Sequence, residues 1–113
     1  MSPASTPLAP ALALDYLREL SADIRAGAVL DPSGALLAGP EALAEPARDL
    51  IAAAGEAREV HVANADGNVF AARSERHTVV VVCGRFALPS LIRYDLRLVL
   101  ADLAGPGAHP EAA

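Results

Sequence analysis

Thr78-Val79-Val80-Val81-Val82-Cys83 is the stretch on which the fold turns. Four consecutive valines favour extended backbone, because β-branched residues are stiff at χ1 and pack well on a pleated surface. No polar residue alternates with them, so the pattern predicts a central strand covered on both faces. Working upstream, Ser74-Glu75-Arg76-His77 forms a turn. Asn68 to Arg73 then makes a strand with Val69 and Ala71 on one face and Phe70 and Ala72 on the other. Asp66-Gly67 is a strong hairpin dipeptide. Before it, Arg58 to Asn64 alternates, with Val60 and Val62 on one face and Glu59, His61 and Ala63 on the other. Tight links make these three strands antiparallel.

Downstream, Gly84-Arg85-Phe86 leads to a helix with Pro89 in its first turn. Ile92, Asp95/Leu96, Val99 and Leu103 follow helical spacing, Leu91, Leu98 and Leu100 broaden the apolar face, and Gly105-Pro106 ends it. Nearer the N-terminus, Asp31-Pro32-Ser33-Gly34 has the residues of a type I turn between two short apolar runs, Ala28 to Leu30 and Ala35 to Ala38. After Gly39-Pro40, a second helix carries Leu43, Ala47, Leu50, Ile51 and Ala54 and stops at Gly55. Pro46 is costly inside a helix and tolerated in its first turn. That helix therefore starts near Glu45, or a turn at Glu41 to Ala44 meets it at a kink. Ala11 to Ile24 is expected to be the first helix, with Leu12, Tyr16, Leu20 and Ile24 as its core stripe and Leu17 widening it.

The order is helix, strand, strand, helix, strand, strand, strand, helix. It predicts an α+β domain in which helices cover both faces of a five-stranded antiparallel sheet, a three-layer α/β/α arrangement. Pro and Gly at both ends mark 1–10 and 105–113 as flexible tails around a domain at 11–104. The 113 residues allow one domain, and 53 % hydrophobic composition calls for a packed core. With two Phe, two Tyr and no Trp, that core is built from aliphatic side chains.

Composition also excludes functions. A net charge of −5 with dispersed arginines lacks the basic stripe that nucleic acid needs. No apolar run is longer than Val79 to Cys83, against the ~20 residues of a membrane helix. No basic residue precedes an apolar stretch near the start, so no secretory signal is expected. One cysteine makes no internal disulfide and fits a reducing cytoplasm.

The element order, with LALDYLRELSADI entering an AVLDPSGALLAG hairpin and three later strands ending in TVVVVCGRF, resembles the roadblock / dynein light chain family, including its bacterial small-GTPase-regulating members. The likeness spans 11–104. It departs from the family in a short second helix interrupted by Pro46 and in LPSLIRYDLRLVLADL, which lacks a polar loop before the last helix. The resemblance implies a roadblock/profilin-like fold and a non-enzymatic homodimer that binds a Ras-like small GTPase or scaffolds an assembly. In it, third strands pair across a two-fold axis with the second helices beside them. This places Arg48, Leu50 and Ile51, and the edge Arg58, Glu59, Val60, His61, Val62, Ala63 and Asn64, at the dimer interface. Without that pairing, Arg58, Glu59 and His61 are edge-protecting residues of a monomer. A different reading is a small-ligand sensor of profilin- or PAS-like topology, and a third is a structural subunit using only its sheet edge.

Catalysis, cofactor binding and metal binding are not expected. Cys83 ends the most apolar strand and suits a small core residue better than a nucleophile. His61, His77 and His109 lack ligand spacing, and Asp31 and Asp66 are turn residues without the further donors of a cation loop. With no lysine, a Walker-type phosphate loop is impossible in its usual form. Charge is split along the chain, with −6 over 1–72, +3 over 73–97 and −2 beyond. Arg73, Arg76 and Arg85 are accordingly candidates for steering an acidic partner surface. The competing reading is ordinary solvated arginine, with Arg93 or Arg97 paired to Asp95 or Asp102.

Overall fold

The computed structural model describes residues 8–104, and the expectations for 1–7 and 105–113 lie outside the described residues. The elements are α1 (Pro10–Leu20), β1 (Ile24–Leu30), β2 (Leu36–Ala38), α2 (Ala44–Ala54), β3 (Glu59–Ala63), β4 (Asn68–Arg73), β5 (Thr78–Cys83) and α3 (Pro89–Ala104). One antiparallel sheet runs in the order β2-β1-β5-β4-β3. The valine strand β5 is central and β3 is an edge. α1 and α3 pack on one face of the sheet and α2 on the other.

The first helix is shorter than expected. α1 ends at Leu20, Ser21 is already extended, and Ile24 opens β1 opposite Cys83. Ile24 is buried because it pairs in the sheet, so its four-residue spacing from Leu20 is a coincidence of two elements. The buried face of α1 is Ala13 and Leu17, while Leu12, Tyr16 and Leu20 are exposed. The start of the helix is also earlier, at Pro10, and the Leu8 amide donates to the Asp102 carbonyl at 2.9 Å. On α3, Leu91 is exposed rather than buried.

Both ways of accommodating Pro46 occur together. A 3-10 turn at Glu41–Leu43 runs straight into α2, where Pro46 is the third residue. An N–H there has no partner within the helix, so its loss costs little. The Asp31 turn forms as its residues dictate. The Gly34 amide donates to the Asp31 carbonyl at 2.9 Å, and Asp31 Oδ1 accepts from the Ser33 and Ala35 amides at 2.8 and 3.0 Å. These bonds, the one from the Ser33 hydroxyl first, hold the Asp31 carboxyl below the usual carboxylate range.

The hairpin at Asp66-Gly67 forms for a different reason than its dipeptide implies. Gly67 is not among the glycines with positive φ. Instead Asn64 Oδ1 accepts from the Asp66 and Gly67 amides at 2.8 and 3.0 Å and shapes the turn. Glycine is required because a Cβ at 67 would lie 2.5 Å from the Cys83 carbonyl oxygen.

Candidate functional site

The register of the strands sets the two faces. Toward α1 and α3 point Phe70, Val79, Val81 and Cys83, which join Ile92, Leu96 and Val99 in the larger core. Burial pushes the Cys83 thiol up to about 11, the state of an inert core cysteine. Toward α2 point two cross-strand rows. Ala28, Val80, Ala71 and Val60 are aligned across β1, β5, β4 and β3, and the first three are buried. The next row, Ala26, Val82, Val69 and Val62, is aligned on the same four strands but only half-covered. Val62, at its outer end, is 44 % exposed. Val82 is thus a correction to the reading that both faces of the valine strand are fully covered.

The placement of α2 explains the difference. Arg48 Nη1 donates to the Gly34 carbonyl at 3.0 Å and ties α2 to the β1–β2 hairpin. Near the other end of α2, Arg73 Nη2 donates to the Gly55 carbonyl. Both ties lie at the Leu30–Thr78–Arg73 end of the strands, so α2 crosses the sheet there, covers the inner row and leaves the outer one open. The open row therefore runs into β3, whose outer backbone groups have no strand partner among the described residues.

The expected interface residues divide accordingly. Val60 and Val62 lie on the α2 face, and Val60 packs in the same cluster as Leu50 and Ile51. Glu59 and His61 point to the opposite face. Glu59 receives Arg97 Nε at 2.6 Å and Nη2 at 3.0 Å, which fastens α3 to the edge strand. That bond holds the Glu59 carboxyl below its usual value, and it replaces the expected pairing of Arg97 with Asp95 or Asp102. His61 stacks on Phe70, with ring centroids 4.2 Å apart, and its Nε2 is 2.7 Å from Asn68 Oδ1. Asn68 Nδ2 in turn donates to the Gly84 carbonyl at 3.1 Å. Asn64 serves the hairpin rather than the edge, and Arg48 sits at the hairpin of β1 and β2, on the far side of the sheet from β3. Ala63 ends β3 exposed.

The candidate partner arginines do not form one patch. Arg73 and Arg76 flank the β4–β5 turn, and the Arg73 amide donates to the Arg58 carbonyl, which brings Arg58 to the same corner. Arg85 follows the other end of β5, where it lies over the Phe86 ring at 5.0 Å. Of the first pair, Arg73 is engaged with Gly55 and Arg76 is exposed.

The residues missed from the sequence are Ala26, Val69 and Val82. Counting the register back from Asp66-Gly67 places Val62 opposite Val69, which was the available signal. The buried polar side chains among the described residues are Asn68 and Thr78, and apolar side chains pack between the sheet and the helices. A surface groove of about 410 Å³ lies between α1 and the β1–β2 edge, lined in part by Arg18, Arg25 and Gly39. Among the described residues no group of three His, Cys, Asp or Glu is placed to hold a metal, and no helix is long and apolar enough to cross a membrane.

No protein-family model matches the chain, and no curated protein does. Solved structures do. A roadblock/LC7 domain from Streptomyces avermitilis superposes with a TM-score of 0.69 at 16 % identity, covering 84 % of this chain and 92 % of that one. The gliding protein MglB of Thermus thermophilus gives 0.64 at 16 % identity, covering 92 % and 95 %. Profilin IB of Acanthamoeba castellanii gives 0.57 at 14 % identity, covering 80 % and 93 %.

Proposed function

We propose that this chain, which has the roadblock/LC7 fold that its element order led one to expect, is a non-enzymatic homodimeric platform for a Ras-like small GTPase. The observation that carries the dimer is the half-covered row Ala26, Val82, Val69 and Val62 running into the unpaired edge of β3. A second copy docked edge to edge extends the sheet, satisfies the outer N–H and C=O groups of β3 and continues the apolar row across the two-fold axis. The second helices of the two copies then lie beside each other over that row. This is the arrangement that the roadblock resemblance implies.

The GTPase part of the reading rests on that resemblance together with the local charge. Arg58 and Arg76 are exposed at the corner where β3 begins, on a chain that is otherwise acidic. They suit an acidic partner surface by long-range attraction. Two measurements test the proposal separately. Sedimentation at micromolar concentration is expected to give twice the 11.6 kDa monomer mass, and a lone monomer overturns the dimer. Affinity capture from native lysate, with and without a non-hydrolysable GTP analogue, is expected to recover a small GTPase in one of the two states. Recovery in neither overturns the partner.

A further inference from the structure

The stripe Leu12, Tyr16 and Leu20 has the spacing of a core face and yet lies at the surface. Its members are four residues apart and so rise along one flank of α1. The opposite flank carries Leu14, which meets Gly27, and Arg18, which lines the groove toward β2. α1 lies over β1 and β2, and α3 over β4 and β5. The apolar flank of α1 therefore turns toward α3. On α3, Arg97 reaches out to Glu59 of β3. At about 100° per residue, Leu91, Asp95, Leu98 and Asp102 fall on the other side of the helix, toward α1. The two helices run in opposite directions, because Leu8 bonds to Asp102 while Ile24 and Cys83 pair just beyond the other ends. Leu20 thus sits at the Leu91 end of the seam.

The result is an apolar seam between two helices, continued at its top by Tyr94, with Leu12 57 % and Leu91 56 % exposed. Large apolar side chains exposed along both sides of one helix–helix seam mark an interaction site rather than chance exposure. Its charged neighbours on the seam side are Glu19, Asp95 and Asp102, while Arg18, Arg93 and Arg97 lie on the outer flanks. Partial burial raises the Asp95 carboxyl above its usual value, as expected for an acid set among apolar side chains.

We propose that the α1–α3 seam is a docking groove for an amphipathic helix of a partner protein that carries basic residues beside its apolar stripe. The charge of the seam argues for this occupant. A second copy of the chain brings Glu19, Asp95 and Asp102 against the same acids, and an anionic lipid surface is repelled by them. The chain's own ends do not suit it, since 1–7 and 105–113 contain Met1 as their one large apolar residue. The seam is on the opposite face of the sheet from α2, so both partners can be held at once.

The probe is a fluorescein-labelled leucine–lysine amphipathic peptide of roughly five turns, read by anisotropy and by amide chemical shifts. It is expected to bind with shifts confined to α1 and α3, and to bind about tenfold more weakly to Tyr16→Ser/Leu91→Ser. A leucine–glutamate peptide of equal length should also bind about tenfold more weakly. Tyr16→Phe/Leu91→Met should bind as the original chain does. Both altered side chains are exposed, and circular dichroism with thermal melting checks that each variant is folded. Equal binding of the two peptides, an unaffected double variant, or shifts on α2 and β3 overturns the proposal. So does a change in sedimented mass in Tyr16→Ser/Leu91→Ser, which would make the seam a self-interface. Binding to phosphatidylserine vesicles that this variant abolishes would assign the seam to membrane and likewise overturn it.

Discussion

The two faces of the sheet are covered by helices of different number and length, and their cross-strand rows differ accordingly. α1 and α3 together bury Phe70, Val79, Val81 and Cys83 almost completely. On the other face, eleven-residue α2 buries one row and leaves the next half-open. The same residue type ends up in opposite situations, with Val81 closed in and its neighbour Val82 partly in water. A sheet face becomes core or interface according to where the helices above it are anchored, and both ties of α2 lie at one end of the strands.

The contrast can be broken most forcefully on the closed side. Phe70→Ala should cost about 3–5 kcal/mol in denaturant unfolding, because it empties a fully buried site that also stacks against His61. A cost below ~1 kcal/mol, the scale of an ordinary surface substitution, would show that this face is not the stabilising one. Val62→Asp probes the open side. It should change unfolding of the monomer by about 0.5 kcal/mol or less while weakening the dimer by about 2 kcal/mol or more. Sedimentation reads the second effect, and an unchanged dimer would assign the row to another role.

Two smaller effects concern the ends of the layers. His77, in the turn between β4 and β5, has its ring held below the ordinary pKa of 6.5, by burial first and by Arg76 second. Its Nδ1 is buried without a hydrogen-bond partner among the described residues. The unfolded chain therefore takes up the proton first, and stability should fall as pH drops below that ordinary value toward the lower folded one. Melting curves of His77→Gln should show a flatter decline, and parallel curves would argue against the assignment. The least effect is expected from Glu59→Gln. The bond from Arg97 lowers the folded pKa of Glu59, so its contribution is present above the ordinary carboxylate value and is lost as pH falls through the lowered one. An acid titration of stability in which the variant loses none of this slope would show that the exposed pair contributes nothing.

Much of the architecture was legible because local chemistry decided it. The β5 valines, the Asp31 turn and Pro89 each act through their own backbone preferences, and each sits where those preferences put it. The α1 stripe was not legible, because helical spacing describes two flanks equally well when Ala13 and Leu17 alternate with Leu12, Tyr16 and Leu20. A small alanine allows close approach to the sheet, and that gain depends on a surface distant in sequence. The candidate interface was legible in part. Val60 and Val62 follow from alternation, whereas Arg48 and Asn64 are drawn into turns by bonds to Gly34 and Gly67.

The sequence by itself determined the order of elements, the central position of β5 and the exposure of β3 as an edge, because propensity, turn residues and alternation act over a few residues. Only the tertiary structure decided which apolar residues are core. Whether Val82 and Leu12 are covered depends on where α2 is anchored and how α1 is rolled against α3, and burial is a property of neighbours distant in the chain. The two surfaces left open by that decision are the ones we assign to partners.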